Sequence, residues 1–208
     1  MIVYVARHGE TDWNREGRYQ GQRESRLTMT GIAQAQALAQ ALGAASIARV
    51  ISSPLARCLD TAAPLAARLD LDVEVDLRLI EIGHGTWEGR LRDEIERDDP
   101  QRMRDWREYP DRVRFDGGES LQDVLERWRA FARSIDGNND IAVVTHDVLV
   151  RLAIVDATGQ PLSRLWDARV RNGAYARFAV TNGVWRVLDE CVEGHLGELL
   201  VDTARQAL

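Results

Sequence analysis

Ile2-Val3-Tyr4-Val5-Ala6-Arg7-His8-Gly9 opens the chain with an unbroken apolar run that ends on a cation, an imidazole and a glycine. Consecutive apolar residues without alternation are the pattern of a strand buried on both faces, as in a parallel sheet. Ile141-Ala142-Val143-Val144-Thr145-His146 repeats it, again with a histidine directly after the run. Ligands of parallel sheets bind beyond the carboxyl ends of the strands. His8 and His146 are therefore expected at one mouth of one sheet.

The rest of the chain fits around these two strands. Thr30 is expected to cap a helix that carries Ile32, Ala35, Leu38, Ala39 and Leu42 on one face. Val50-Ile51 reads as a second strand. Ser53-Pro54 then opens a helix, with Ser53 at the N-cap and proline at the first helical position. Val73-Glu74-Val75 is a weak third strand. Ser120 and Asp123 form a capping-box pattern ahead of a helix that runs through Trp128 to about Arg133. A further helix is expected from about Val148 to Ala157. Ala174–Val180 and Val184–Leu188 alternate around Thr181-Asn182-Gly183, a hairpin signal. Residues 83–118 differ: they are dense in charge, carry Trp87, Trp106 and Tyr109, and are broken by Pro100 and Pro110. They read as short helices and loops forming a lid. The tail from Cys191 to Leu208 is weakly periodic. The expected fold class is α/β, a three-layer sandwich with a mostly parallel central sheet flanked by helices. It is read as a single domain over 1–208 with the lid inserted at about 83–118.

Composition narrows the function. The 208 residues are 45% hydrophobic and carry a net charge of −6. That length can bury about 70% of its unfolded surface and needs no disulfide staples. The acidic balance argues against nucleic acid or a membrane surface as partner. No apolar run approaches the roughly 18 residues of a membrane span. All 27 basic residues are arginine, so no lysine exists for a Schiff base or a P-loop. Cys58 and Cys191 stand far apart and read as reduced thiols of a cytoplasmic protein. Met1 to Ala6 has no basic region and reads as no signal peptide.

Four histidines are present: His8, His84, His146 and His195. Arg7 precedes His8, and Arg57 falls in the first turn of the helix after Ser53-Pro54. An arginine there opposes the helix dipole unless an anion is bound. Arg7, Arg57 and a protonated His146 could neutralise a phosphoryl group without a metal, and no metal-ligand spacing is seen. Neutral His8 could then attack phosphorus. The leaving alkoxide needs a proton, for which Glu81, after Leu79-Ile80, is the candidate donor.

These residues resemble a known family. Arg7-His8-Gly9-Glu10-Thr11, with Trp13 and Asn14, looks like the signature of the histidine phosphatase superfamily, in its phosphoglycerate-mutase-like branch. Tyr19-Gln20-Gly21-Gln22, Leu27-Thr28 with Gly31, and Ser52-Ser53-Pro54-Leu55-Ala56-Arg57 with Thr61-Ala62 are similar to further blocks. So are Glu81 with Gly85-Thr86-Trp87-Glu88-Gly89, then Gly117-Gly118-Glu119-Ser120, Val143-Val144-Thr145-His146 and His195-Leu196. The blocks span roughly residues 2 to 196 in order.

The resemblance implies roles. His8 would be the phosphorylated nucleophile, with Arg7, Arg57 and His146 completing the phosphate pocket. Glu81 would be proton donor and then base for water. Asn14, Gln20 and Gly21 would contact phosphate or substrate, as would Thr145 and Asp147 at the last block. Gly9 would keep the loop clear of the nucleophile. No cofactor and no metal are implied. One departure stands out: the family usually has glycine after the second histidine, and here it is Asp147. Asp147 is expected to turn away and cap the following helix, to select a cationic or hydroxyl-bearing substrate, or to have weakened catalysis. His84, in a Gly-His-Gly loop, could touch substrate, but reads as a solvated loop histidine. His195 reads as a surface residue, and Trp106 and Tyr109 as packing within the lid.

The expected activity is hydrolysis of a small soluble phosphomonoester through a phosphohistidine on His8. A cofactor-dependent phosphoglycerate mutase is the second reading. An inactive phosphate-binding regulatory protein is the third. The expected partner is the small-molecule substrate, and a homodimer stays open.

Overall fold

The computed structural model describes residues 1–203, 206 and 207. Ala204, Arg205 and Leu208 lie outside the described residues, and with them part of the weakly periodic tail. The elements are β1 (Ile2–Arg7), α1 (Asp12–Glu16), α2 (Met29–Leu42), β2 (Ile47–Ser52), α3 (Ala56–Leu69), β3 (Val73–Val75), α4 (Arg92–Asp98), α5 (Pro100–Glu108), α6 (Leu121–Ser134), β4 (Asp140–Thr145), α7 (Asp147–Thr158), β5 (Tyr175–Thr181) and β6 (Val184–Val192).

The described strands form one sheet in the order β3-β2-β4-β1-β5-β6. β1 to β4 are mutually parallel where they pair. β5 and β6 run antiparallel at one edge. Their connection, Asn182-Gly183, has φ of 52° and 75°. Two positive values suit the tight hairpin turn whose twist matches its strands.

Alternation along the parallel strands divides the core in two. Val3, Val5, Ile51, Ile141 and Val143 face α6 and α7. Ala6, Val50, Ala142 and Val144 face α2 and α3. A sheet covered on both faces is what continuous apolar runs require. The inserted segment does not build a core of its own. Trp87, Ile95, Met103, Trp106 and Phe115 join the cluster that contains Val3 and Val5. Trp106 is fully buried, whereas Tyr109 is exposed with the Arg112 guanidinium 4.7 Å from its ring. Tyr109 thus falls outside the lid packing expected of it, because it ends α5 on the solvent side.

Two caps differ from expectation. Thr28, not Thr30, begins α2, its hydroxyl oxygen accepting from Gly31 N at 3.0 Å. The Thr28 hydroxyl donates in turn to the Glu10 carboxylate at 2.7 Å, which orients it for capping. Leu55, not Ser53, stands at the start of α3 and makes no side-chain cap bond. The Ser53 hydroxyl is taken by His146 instead. The Ser120–Asp123 capping box at α6 forms as read.

The register carries the site. Arg7 of β1 pairs with Thr145 of β4, so the residues that follow, His8 and His146, leave the sheet side by side. The loop after β1 then packs against α2 with no room between backbones. A Cβ on Gly31 would stand 2.1 Å from the Glu10 carbonyl oxygen, and one on Gly9 would stand 2.5 Å from that of Gly31. Gly9 therefore lets the loop lie close against α2. Gly31→Ala is expected to destabilise the protein by about 1–3 kcal/mol through overpacking, lowering Tm by several degrees. Thermal unfolding followed by circular dichroism measures this; an unchanged Tm would mean that the contact is not tight.

Candidate active site

His8 is 3% exposed. Its Nδ1 donates to the Gly9 carbonyl oxygen at 2.7 Å, since a carbonyl can only accept. Burial first, then the Arg57 and Arg7 guanidiniums, hold its imidazole well below the usual range. A neutral ring with the proton on Nδ1 leaves the lone pair on Nε2. The backbone around it is pinned as well. His8 N donates to Thr145 O, and Gly9 N donates to Thr61 Oγ1. The Asn172 amide donates to the His8 carbonyl at 3.3 Å.

Two buried guanidiniums flank this ring. Arg57 enters from the first turn of α3 and donates to the carbonyls of Arg23 and Gly21 at 2.8 and 2.7 Å. Arg7 donates Nη2 to Gln206 Oε1 at 2.6 Å. Arg7 Nε and Nη1, Arg57 Nε and Asn14 Nδ2 are buried donors without a hydrogen-bond partner. Buried donors are nearly always satisfied, and each left unpaired costs about 1–3 kcal/mol. Four such donors around a neutral imidazole are suited to one compact anion.

His146 is fully buried, its ring centroid 5.3 Å from that of His8. Its Nε2 and Ser53 Oγ are hydrogen-bonded at 2.7 Å, with the Cys58 thiol 3.4 Å away. The protonated form expected of it is not favoured here. Burial, then Arg57 and His8, hold the ring well below the usual range. The positive charge of the site rests on guanidiniums.

Glu81 follows β3 and a short helical turn. Its Oε1 accepts from Ile82 N at 2.9 Å, and its backbone carbonyl accepts from Gln22 and Arg127. Burial pushes its carboxyl up to about 7, against the Ile82 N–H that lowers it, and Asp147 adds to the rise. A carboxyl poised near neutrality can both give and take a proton.

Several expected ligand contacts are something else. Thr145 donates its hydroxyl to the Leu79 carbonyl at 2.7 Å, tying β4 to the segment ahead of Glu81 rather than facing a ligand. Gln20 Oε1 accepts from Thr11 and Ser25, so it braces the loop after α1. Gly21 acts through its carbonyl on Arg57, at a φ of 50° where a Cβ would strike Glu88. Asn14 Oδ1 is used by Thr11 and Asn172, which leaves its NH2 for the pocket. Asp147 does not cap α7, whose N-cap is His146 with no side-chain bond. It pairs with Arg151 and Arg7 instead, so guanidinium lies between it and the pocket.

His84 is not solvated. It is 3% exposed, ringed by Tyr19, Trp106 and Phe115, with centroids 4.7–5.9 Å away, and burial pushes it down to about 3. The apolar lid drew it in. His195 is half-buried and bonded through Nε2 to the Gly173 carbonyl, which attaches the tail rather than leaving the ring at the surface.

Asn172 and Gln206 carry no signal in the sequence, while Ser53 and Thr61 stand in a family-like block without a site role assigned to them. Asn172 and Gln206 sit in segments without periodicity, and they meet each other only in the fold, at 2.8 Å. Among the described residues no group of three or more His, Cys, Asp or Glu could hold a metal ion, and no helix is long and apolar enough to cross a membrane.

Comparison with known proteins identifies the family. The family model of the histidine phosphatase superfamily (branch 1) matches residues 3–191. Phosphoserine phosphatase 1 of Hydrogenobacter thermophilus is 35% identical over 96% of each chain. A Proteus mirabilis protein named "Probable phosphoglycerate mutase GpmB" is 31% identical over 99% of this chain and 100% of its own. Among solved structures, Bacillus stearothermophilus YhfR superimposes with a TM-score of 0.90 at 31% identity, covering 94% of this chain and 98% of that one. A mycobacterial glucosyl-3-phosphoglycerate phosphatase does so with a TM-score of 0.81 at 29% identity, covering 90% and 97%.

The buried Glu81 has a consequence for stability. Its folded pKa is raised, so the stability it allows is complete below about pH 4.5 and is lost as pH rises through about 7. Glu81→Gln removes this titration. The variant should exceed the unsubstituted protein in stability at pH 8 by up to about 3 kcal/mol, and match it at pH 4.5. Urea unfolding at the two pH values decides; equal stability at both would mean Glu81 ionises without cost.

Proposed function

This chain belongs to the histidine phosphatase superfamily, branch 1, and from that membership we propose a metal-independent phosphomonoesterase acting on a small phosphorylated metabolite. The observation that carries the reading is the neutral His8, its lone pair on Nε2, among buried Arg7, Arg57 and Asn14 donors that lack a hydrogen-bond partner. In the first step the Nε2 lone pair forms a bond to phosphorus as the bond to the leaving oxygen breaks. The Glu81 carboxyl gives its proton to that oxygen. In the second step the Glu81 carboxylate takes a proton from water, whose oxygen attacks phosphorus. The P–N bond breaks and its electrons return to Nε2. Arg7 and Arg57 neutralise the phosphoryl oxygens in both steps. His146, held beside His8 and bonded to Ser53, adds no fixed charge.

The neighbourhood supports a substrate with an acidic group beside the phosphate. A cavity of about 330 Å³ is lined by Tyr19, Trp106 and Trp166, with Arg92 and Arg107, and reaches Gln206, the partner of Arg7. The substrates printed in the names of two relatives, phosphoserine and glucosyl-3-phosphoglycerate, each carry a carboxylate as well as a phosphate. The unpaired thiols Cys58 and Cys191 suit a cytoplasmic location.

The test is release of inorganic phosphate from a panel of phosphomonoesters in EDTA, with His8→Ala alongside. The panel includes phosphoserine, 3-phosphoglycerate and a bisphosphoglycerate primer. Release that persists in EDTA and falls by at least about a thousandfold in His8→Ala is expected, with an acid-labile phosphoenzyme trapped on quenching. Isomerisation of phosphoglycerate without release would replace the reading with a mutase. Loss of turnover in EDTA would end the metal-independent one.

A further inference from the structure

Asp147 opens α7 directly after His146 and is 1% exposed. Its Oδ2 accepts from Arg151 Nε at 2.6 Å. Arg151 is itself anchored, donating to the Ala168 carbonyl and lying 5.1 Å from the Trp166 ring. Asp147 and Arg151 are thus a fixed unit. On its other side Asp147 Oδ1 lies 3.1 Å from Arg7 Nη1. That contact is an ion pair without hydrogen-bond alignment, because Nη1 and Nε of Arg7 both lack a bonded acceptor. Asp147 therefore offsets the charge of Arg7 and leaves its donors free for phosphate.

The charge balance of the buried site follows. Arg7, Arg57 and Arg151 contribute three positive charges, and Asp147 removes one, with His8 and His146 neutral and Glu81 uncharged while it holds its proton. The two that remain match a phosphate dianion. With Arg151 kept, glycine at this position would leave three, and product phosphate would be held more tightly.

We propose that Asp147 is a positioning residue that sets the charge of the phosphate pocket through Arg7, weakening the hold on phosphate so that product leaves. The proposal rests on the phosphatase reading. It has a second arm at the proton donor. The charged groups acting on Glu81 are Asp147, Arg57 and Arg127, and Asp147 is the one that favours its protonated form. Asp147 itself is paired with Arg7 and Arg151 and acts on Glu81 through its charge alone.

Asp147→Asn keeps the size and removes the charge. It should bind inorganic phosphate about tenfold more tightly in calorimetric titration, since one buried charge nearby is removed. The limb of the kcat–pH profile that falls as pH rises should move to lower pH. Arg151→Met, which removes a positive charge, should bind phosphate more weakly. Opposite shifts in the two variants, with the moved limb, support the proposal. A residue that only braces the fold would weaken phosphate binding in both. Unchanged or weaker binding in Asp147→Asn, or an unmoved limb, overturns it. Should Asp147→Asn fail to fold, phosphate binding by Arg151→Met no weaker than that of the unsubstituted protein overturns it. Failure of the phosphatase reading shows separately, as an absence of His8-dependent release by the unsubstituted protein, while phosphate titration still reads the charge.

Discussion

Two guanidinium groups, those of Arg7 and Arg57, are withdrawn almost completely from water at the mouth of the sheet. An isolated buried charge is costly, so each must be surrounded by acceptors and opposing charge. The structure supplies these from distant parts of the chain. The loop after α1 gives the carbonyls of Gly21 and Arg23 to Arg57, the tail gives the Gln206 amide to Arg7, and α7 gives Asp147. The same two cations help to keep His8 and His146 neutral. An imidazole cannot be a nucleophile while protonated, so under the proposed mechanism the arrangement that would hold phosphate would also prepare its attacking group.

Glu81 is the counterpart of this constraint. It stands within the stretch that leads from β3 to α6, and burial raises its carboxyl towards neutrality. Gln22 and Arg127 hold its backbone carbonyl, and Glu119 ties Gly83 and Gln22 to Arg127. Glu119 thus fixes the backbone on which Glu81 is carried. The aromatic side chains of the inserted residues belong to the main core, in one cluster with Val3 and Val5.

Local signals were read well where short-range physics decides. The two buried strands, the Asn182-Gly183 hairpin and the Ser120–Asp123 capping box are set by neighbours within a few residues. They failed where a distant group competes for the same atom. Ser53 looks like an N-cap, but its hydroxyl is taken by His146, 93 residues away. Thr145 looks like a ligand contact, yet its hydroxyl satisfies the Leu79 carbonyl. His84 lies between two glycines and reads as a loop residue, but the aromatic groups that bury it come from three separate segments.

The amino-acid sequence by itself determined the α/β class, the placing of His8 and His146 after paired strands, and the set Arg7, Arg57 and Glu81. Those follow from apolar patterning and residue chemistry, which are local properties. Only the tertiary structure decided protonation and partnership: that both imidazoles are neutral, that Glu81 is poised near neutrality, and that Asp147 faces Arg7 rather than capping its helix. A proton's position depends on the dielectric and the charges around a group, and these are assembled from residues far apart in the chain. The sequence names the groups, and burial sets their charge.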